Sequence, residues 1–96
     1  MAQVIWTQTA TAEIEEIAEY LSAYSEHYAS LIISKIYQKT GLLISFPKLG
    51  RVIPEMTDPT RRELLEGNYR IMYELVNEDI VLIQRVIHTS RKFEGN

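Results

Sequence analysis

The sequence predicts an α+β domain in the order β-α-α-β-β-β, with a helical hairpin packed on one face of a small antiparallel sheet. Two observations carry this reading. Apolar residues recur at helical spacing twice in the first half, and the second half holds three β-rich runs separated by short polar turns. At 96 residues, with 46% hydrophobic and 24% charged content, the chain fits one domain over 1–96 and is too apolar for intrinsic disorder.

The elements follow in chain order. Gln3-Val4-Ile5-Trp6 is β-branched and aromatic, which suits a short strand. Thr7 is the expected N-cap of a first helix, with Thr9 as the competing position. Ala10, Ile14, Ile17, Ala18 and Leu21 then fall on one helical face, and Glu13, Glu15, Glu16 and Glu19 lie mainly off it. The helix is expected to stop near Tyr24, and Ser25 to cap a second one. The second apolar face reads Ala29, Ile32, Ile33, Ile36 and Leu43, with Gly41 predicting a bend or fraying. Pro47 ends the element, because the residue before a proline avoids the α region.

Residues 47–60 hold all three prolines (Pro47, Pro54, Pro59) and Gly50. They predict a loop with at most a short strand around Arg51 to Ile53. The three β-rich runs are 61–66, 69–76 and 80–88, separated by Gly67-Asn68 and Asn77-Glu78-Asp79, which signals antiparallel hairpins. Simple alternation puts Tyr69, Ile71, Tyr73, Leu75, Val81, Ile83 and Ile87 on the helix-facing side, with Arg85 as an exception. It puts Arg70, Met72, Glu74, Gln84, Val86 and His88 on the other. Arg70 needs an anionic partner there, and Glu74 on the same face, or a phosphate, is expected to supply it.

Several classes are disfavoured by composition. No apolar run approaches the roughly 18–20 residues of a membrane span. The N-terminus shows no basic segment followed by an apolar stretch, so a cytoplasmic protein without membrane attachment is expected. With no cysteine and two histidines, no metal site is expected, and no cofactor. The formal charge is −3. Residues 1–46 carry two lysines against five glutamates, whereas 47–96 balance eight basic against eight acidic groups. Proteins that grip polyanions usually show a strong basic excess, and this chain does not.

An ordered set of short motifs carries a resemblance over nearly the whole chain. These are Val4-Ile5-Trp6-Thr7 with Ala10, Ser25 with Ala29, Leu43 with Pro47, Leu49-Gly50-Arg51, Arg62-Glu63, Asn68-Tyr69-Arg70-Ile71-Met72-Tyr73 and Ile87-His88-Thr89-Ser90-Arg91. Together they resemble the RelE/ParE superfamily, the toxins of bacterial type II toxin–antitoxin pairs, also known as plasmid stabilisation proteins.

The resemblance implies a cognate antitoxin as partner and one of two activities. RelE-like members cleave mRNA on the ribosome without metal, and ParE-like members inhibit DNA gyrase without being nucleases. Metal-free RNA cleavage wants a general base, a general acid and a cation at the phosphate. On the RelE-like reading the catalytic candidates are Arg70, His88 and Arg62 or its neighbour Arg61, with Glu55, Glu63 and Glu74 as unranked possible bases. That set is partial. Thr89 follows His88, and the nearest later aromatic, Phe93, can stack but cannot move a proton. The ParE-like reading is therefore preferred. It predicts a gyrase-binding surface from Arg91, Lys92 and Phe93, cationic and aromatic groups of the kind enriched at interface hot spots, aided by Arg51 or Arg62. A superfamily member without toxicity, and a homodimer of the free chain, are left open by the sequence.

Overall fold

The computed structural model describes residues 1–94. The elements are β1 (Gln3–Trp6), α1 (Gln8–Ser22), α2 (Glu26–Gly41), a 3-10 turn (Leu42–Ile44), β2 (Arg51–Val52), β3 (Arg61–Glu66), β4 (Tyr69–Leu75) and β5 (Ile80–His88). Thr7 and Ser25 are the helix N-caps, each side-chain oxygen accepting a first-turn N–H at 3.1 Å. The helix after Gly41 tightens into the 3-10 turn instead of continuing, where the sequence predicts a bend. Gly67 takes φ +56°, the left-handed conformation that the β3–β4 turn requires.

The strands form one sheet in the order β1-β5-β4-β3-β2, and the helical hairpin covers one face. The pairings β2–β3, β3–β4 and β4–β5 are antiparallel. β1 instead lies parallel to β5, Gln3 beside Ile80 through Trp6 beside Ile83, so the sheet is mixed rather than wholly antiparallel. The helices that follow β1 carry the chain across the sheet face, which leaves the first strand beside the last.

A second difference concerns faces. Met72 pairs with Arg85, yet Tyr73 pairs with Ile83, so Gln84 is an extra residue, a β-bulge. The bulge lies where β1 leaves the sheet edge. Thr7 donates its backbone N–H to the Ile83 carbonyl at 3.0 Å and its hydroxyl to the Gln84 carbonyl at 3.4 Å. Beyond the bulge the alternation is inverted. Val86 enters the main core, and His88 pairs with Tyr69 on the helix side. Ile87 pairs with Arg70 on the opposite side. The expected placement of Val86 and His88 beside Arg70, and of Ile87 under the helices, is thereby corrected.

Two cores result. The main one, between helices and sheet, includes Ala10, Ile14, Ile36, Leu43, Ile71, Tyr73, Val81 and Ile83. Each fully buried large side chain contributes roughly 1.5–3 kcal/mol. A smaller one on the other face gathers Ile53, Met72, Ile87 and Phe93, with Met56 against it. The loop after β2 and the C-terminal segment thus both fold over the face that the helices leave bare. No helix is long and apolar enough to cross a membrane among the described residues.

Candidate functional site

The face away from the helices is organised around Arg70. β4 places it between Ile71 and Tyr69 in sequence and opposite Ile87 in register, so its guanidinium rises beside the second core. Its Nε donates to Oε1 of Glu63 at 2.7 Å. Its two terminal nitrogens donate to the Glu55 carboxylate at 2.8 and 2.6 Å, a bidentate clamp. Glu63 has no side-chain exposure, and its other oxygen accepts from Arg51 Nε at 2.8 Å. The order Arg51–Glu63–Arg70–Glu55 is therefore a continuous chain of opposite charges. Its outer end at Arg51 is more than half exposed. Phe93 lies over Arg70, the ring centroid 5.7 Å from the guanidinium carbon, within cation–π range.

Electrostatics follow from this geometry. The hydrogen bond to Glu55, opposed by burial and reinforced by Glu63, raises the pKa of Arg70 above the usual guanidinium value. The same hydrogen bond lowers Glu55 below the ordinary carboxylate range. Glu74, expected as the partner of Arg70, does not fill that role. It accepts instead from Gln84 Nε2 at 3.0 Å. The loop after β2 brings Glu55 to Arg70, and β3 brings Glu63 there by the cross-strand register.

His88 stands on the opposite face. Its ring meets Tyr69 edge-on at a centroid distance of 5.4 Å. The Ser90 backbone N–H donates to Nδ1 at 3.0 Å, which makes that nitrogen an acceptor and puts the proton of the neutral ring on Nε2. Arg70 and His88 are thus separated by the sheet, and the structure does not bring them together. Arg62 faces the helix side of β3, opposite Tyr73. Its Nη1 donates to the Gly50 carbonyl at 2.9 Å and its Nε to the Pro59 carbonyl at 3.2 Å, so it pins a loop. Arg91 and Lys92 are exposed next to Arg85 at the end of β5. Phe93, expected on the surface, is buried in the second core. The anticipated surface patch thus loses its aromatic member to packing.

A third set of contacts joins the layers. Glu13 of α1 receives Arg85 Nε and Nη2, the shortest contact being 2.8 Å, and also accepts the Val86 backbone N–H at 3.0 Å. The carboxylate caps the edge of β5 where β1 no longer covers it. Nothing in local sequence pattern links Glu13 to Arg85, which lie 72 positions apart. Just beyond, a cavity of about 690 Å³ runs between the hairpin and the β5 edge, with Glu16, Tyr20, Tyr28, Tyr69, His88 and Arg91 in its walls.

Residues 4–93 match the family described as ParE toxin of type II toxin–antitoxin system, parDE. The chain belongs to the ParE toxin family. It is 29% identical over 91 residues to the protein named Toxin RelE2 from Caulobacter vibrioides, an alignment covering 95% of this chain and 99% of that one. Its fold resembles a solved structure titled Chromosomal ParDE TA system from P. aeruginosa, with a TM-score of 0.74, 22% identity, and coverage of 92% of this toxin and 96% of that chain. Membership of a type II toxin–antitoxin family implies an antitoxin as partner. The two helices on a mixed sheet are the shared architecture.

Proposed function

We propose that this toxin arrests growth as a ParE-like inhibitor of DNA gyrase and is not a ribosome-dependent mRNA nuclease. One observation carries the choice. The catalytic candidates of the nuclease reading are dispersed, with Arg70 on one sheet face and His88 on the other. Arg70 is also clamped by Glu63 and Glu55, which engage its Nε and both terminal nitrogens and oppose its charge. A phosphate would have to compete with two carboxylates for that charge, one of them fully buried. An inhibitor that works by docking needs no acid–base pair, and the family match to ParE toxins supports that reading.

The target-binding surface is the exposed cationic end of β5, Arg91 and Lys92, with Arg51 farther along the same face. Phe93 acts beneath it by holding the C-terminal segment on the sheet. The antitoxin lies in the cavity between the hairpin and β5, where tyrosines offer large, rigid contact area and Glu16 and Arg91 offer charges of both signs. The deciding experiment pairs two assays on the purified chain. Supercoiling by gyrase should stop, with covalent gyrase–DNA complexes trapped, while mRNA in a translating extract stays intact. Fragmented mRNA with undisturbed supercoiling would reverse the assignment. Inactivity in both assays would leave a non-toxic family member.

A further inference from the structure

The turn that joins β5 to the C-terminal cations is fastened to a single ring nitrogen. Nδ1 of His88 accepts the Ser90 backbone N–H at 3.0 Å. Because that amide can only donate, the lone pair of Nδ1 faces it. The Ser90 hydroxyl, 2.7 Å from the same nitrogen, is then a second donor to it. Two further bonds complete the turn, from the Arg91 N–H to the His88 carbonyl at 3.0 Å and from the Thr89 N–H to the Asn68 carbonyl at 2.7 Å. Neither of these involves the imidazole. Arg91 and Lys92 follow directly and are exposed.

We propose that His88 is an acid-sensitive latch on this turn, holding the Ser90 amide while the ring is neutral and releasing it when the ring is protonated. Imidazole is the side chain that ordinarily changes charge between about pH 5 and 8. Once both ring nitrogens carry protons, no rotation of the ring restores an acceptor. The Ser90 hydroxyl can adapt, because it accepts as readily as it donates. The amide cannot, and two N–H groups facing each other at 3.0 Å must part. The ring itself stays in place, since Tyr69 packs against it edge-on at 5.4 Å. The titratable and charged groups around it are Tyr69 of β4, Glu16 and Tyr20 of α1, Tyr28 of α2 and Arg91 of the tail. Glu13 lies in the same walls but is held by Arg85 at 2.8 Å. The charges that remain, Glu16 and Arg91, are of opposite sign, so the bonds to Nδ1 decide what protonation does to the turn. A released Ser90 amide no longer sets the direction in which Arg91 and Lys92 leave the sheet. One consequence rests on the reading of those two residues as the target-binding surface: gyrase inhibition weakens in acid.

Amide exchange of the full chain, followed by NMR, tests the latch without any partner. Between about pH 7.5 and 5.5 the Ser90 amide should exchange about tenfold faster, corrected for the intrinsic rate, as loss of one hydrogen bond allows. Its midpoint should coincide with that of the His88 ring protons, and the Thr89 amide should not change. His88→Asn sets Oδ1 where Nδ1 stands, an acceptor with no proton to gain, and should abolish the pH dependence. A supercoiling assay at the same two pH values then reads the consequence. Inhibition by the parent chain should fall severalfold in acid, relative to His88→Asn. A Ser90 amide indifferent to pH, a Thr89 amide that opens with it, or a pH dependence that survives in His88→Asn would each overturn the latch. Inhibition that ignores pH while the amide opens would overturn its coupling to the target surface. A chain that inhibits gyrase at neither pH would overturn the gyrase reading instead, and the amide data alone would then decide the latch.

Discussion

The Nε of Arg70 sits 2.7 Å from Oε1 of Glu63, a carboxylate closed off from solvent on a sheet face that the helices do not cover. Such a pair is asymmetric in its energetics. Keeping both charges is nearly balanced against their desolvation, but removing one strands the other. Glu63→Ala should therefore cost about 3–5 kcal/mol, read as a drop in the denaturant midpoint. Glu63→Gln should recover only part of it, since the amide keeps the shape and loses the charge. A midpoint unchanged in Glu63→Ala would mean that water reaches Arg70 freely.

Acid should loosen the outer half of the same clamp. Arg70 holds Glu55 below the ordinary carboxylate range. A depressed carboxylate contributes stability that is complete above its unfolded pKa, roughly 4.3, and is lost as pH falls through the lower folded value. Glu55→Gln should thus melt earlier than the parent chain at neutral pH, and the gap should close as pH falls below about 4. Thermal melts at a series of pH values give the comparison. A gap that widens in acid has the wrong sign.

Gly50 should resist every substitution. An added Cβ there would meet the Glu63 carbonyl oxygen and, at 2.8 Å, the ring and hydroxyl of the buried Tyr73. These neighbours are backbone and core, so they give little way. Gly50→Ala should destabilise by roughly 1–3 kcal/mol, the usual range for overpacking. Equal stability in urea would show that the 47–50 loop can lift off Tyr73.

Glu13 should matter more than its place on a solvent-side helix suggests. Glu13→Ala removes the partner of Arg85 and leaves the Val86 N–H unpaired at the strand edge. The expected cost is about 1–3 kcal/mol. Hydrogen exchange at Val86 should accelerate in the same variant, and unchanged exchange there would argue that water already replaces the carboxylate.

Growth assays should separate binding from folding. Arg91→Ala with Lys92→Ala changes exposed side chains only, so stability should stay within about 0.5 kcal/mol while growth arrest is lost. Arg70→Ala should also lose arrest, but through unfolding, visible as a collapsed melting transition. If the paired tail substitutions leave arrest intact, the target contact lies elsewhere.

Much of this architecture is written in local pattern. The runs 61–66 and 80–88 coincide with β3 and β5, and Thr7 and Ser25 cap the helices, because strand alternation and cap chemistry act over a few residues. The bulge at Gln84 is not local in that sense. It depends on Thr7 gripping β5 from more than seventy positions away, and it alone moves His88 to the far side of the sheet. The partners of Arg70 are hidden from local pattern for a related reason. Glu63 reaches it only through the β3–β4 register, and Glu55 only through the fold of a proline-bounded loop. Phe93 gave no signal of burial, since its core is assembled from a loop, two strands and the tail.

The parallel pairing of β1 with β5 has a consequence for biosynthesis. Gln3 cannot find Ile80 until both helices and the strands up to β4 have been made, so the sheet edge closes only after every intervening element is available. The helical hairpin and the β3–β4 hairpin can form from near neighbours, and the first strand is the last to take its place.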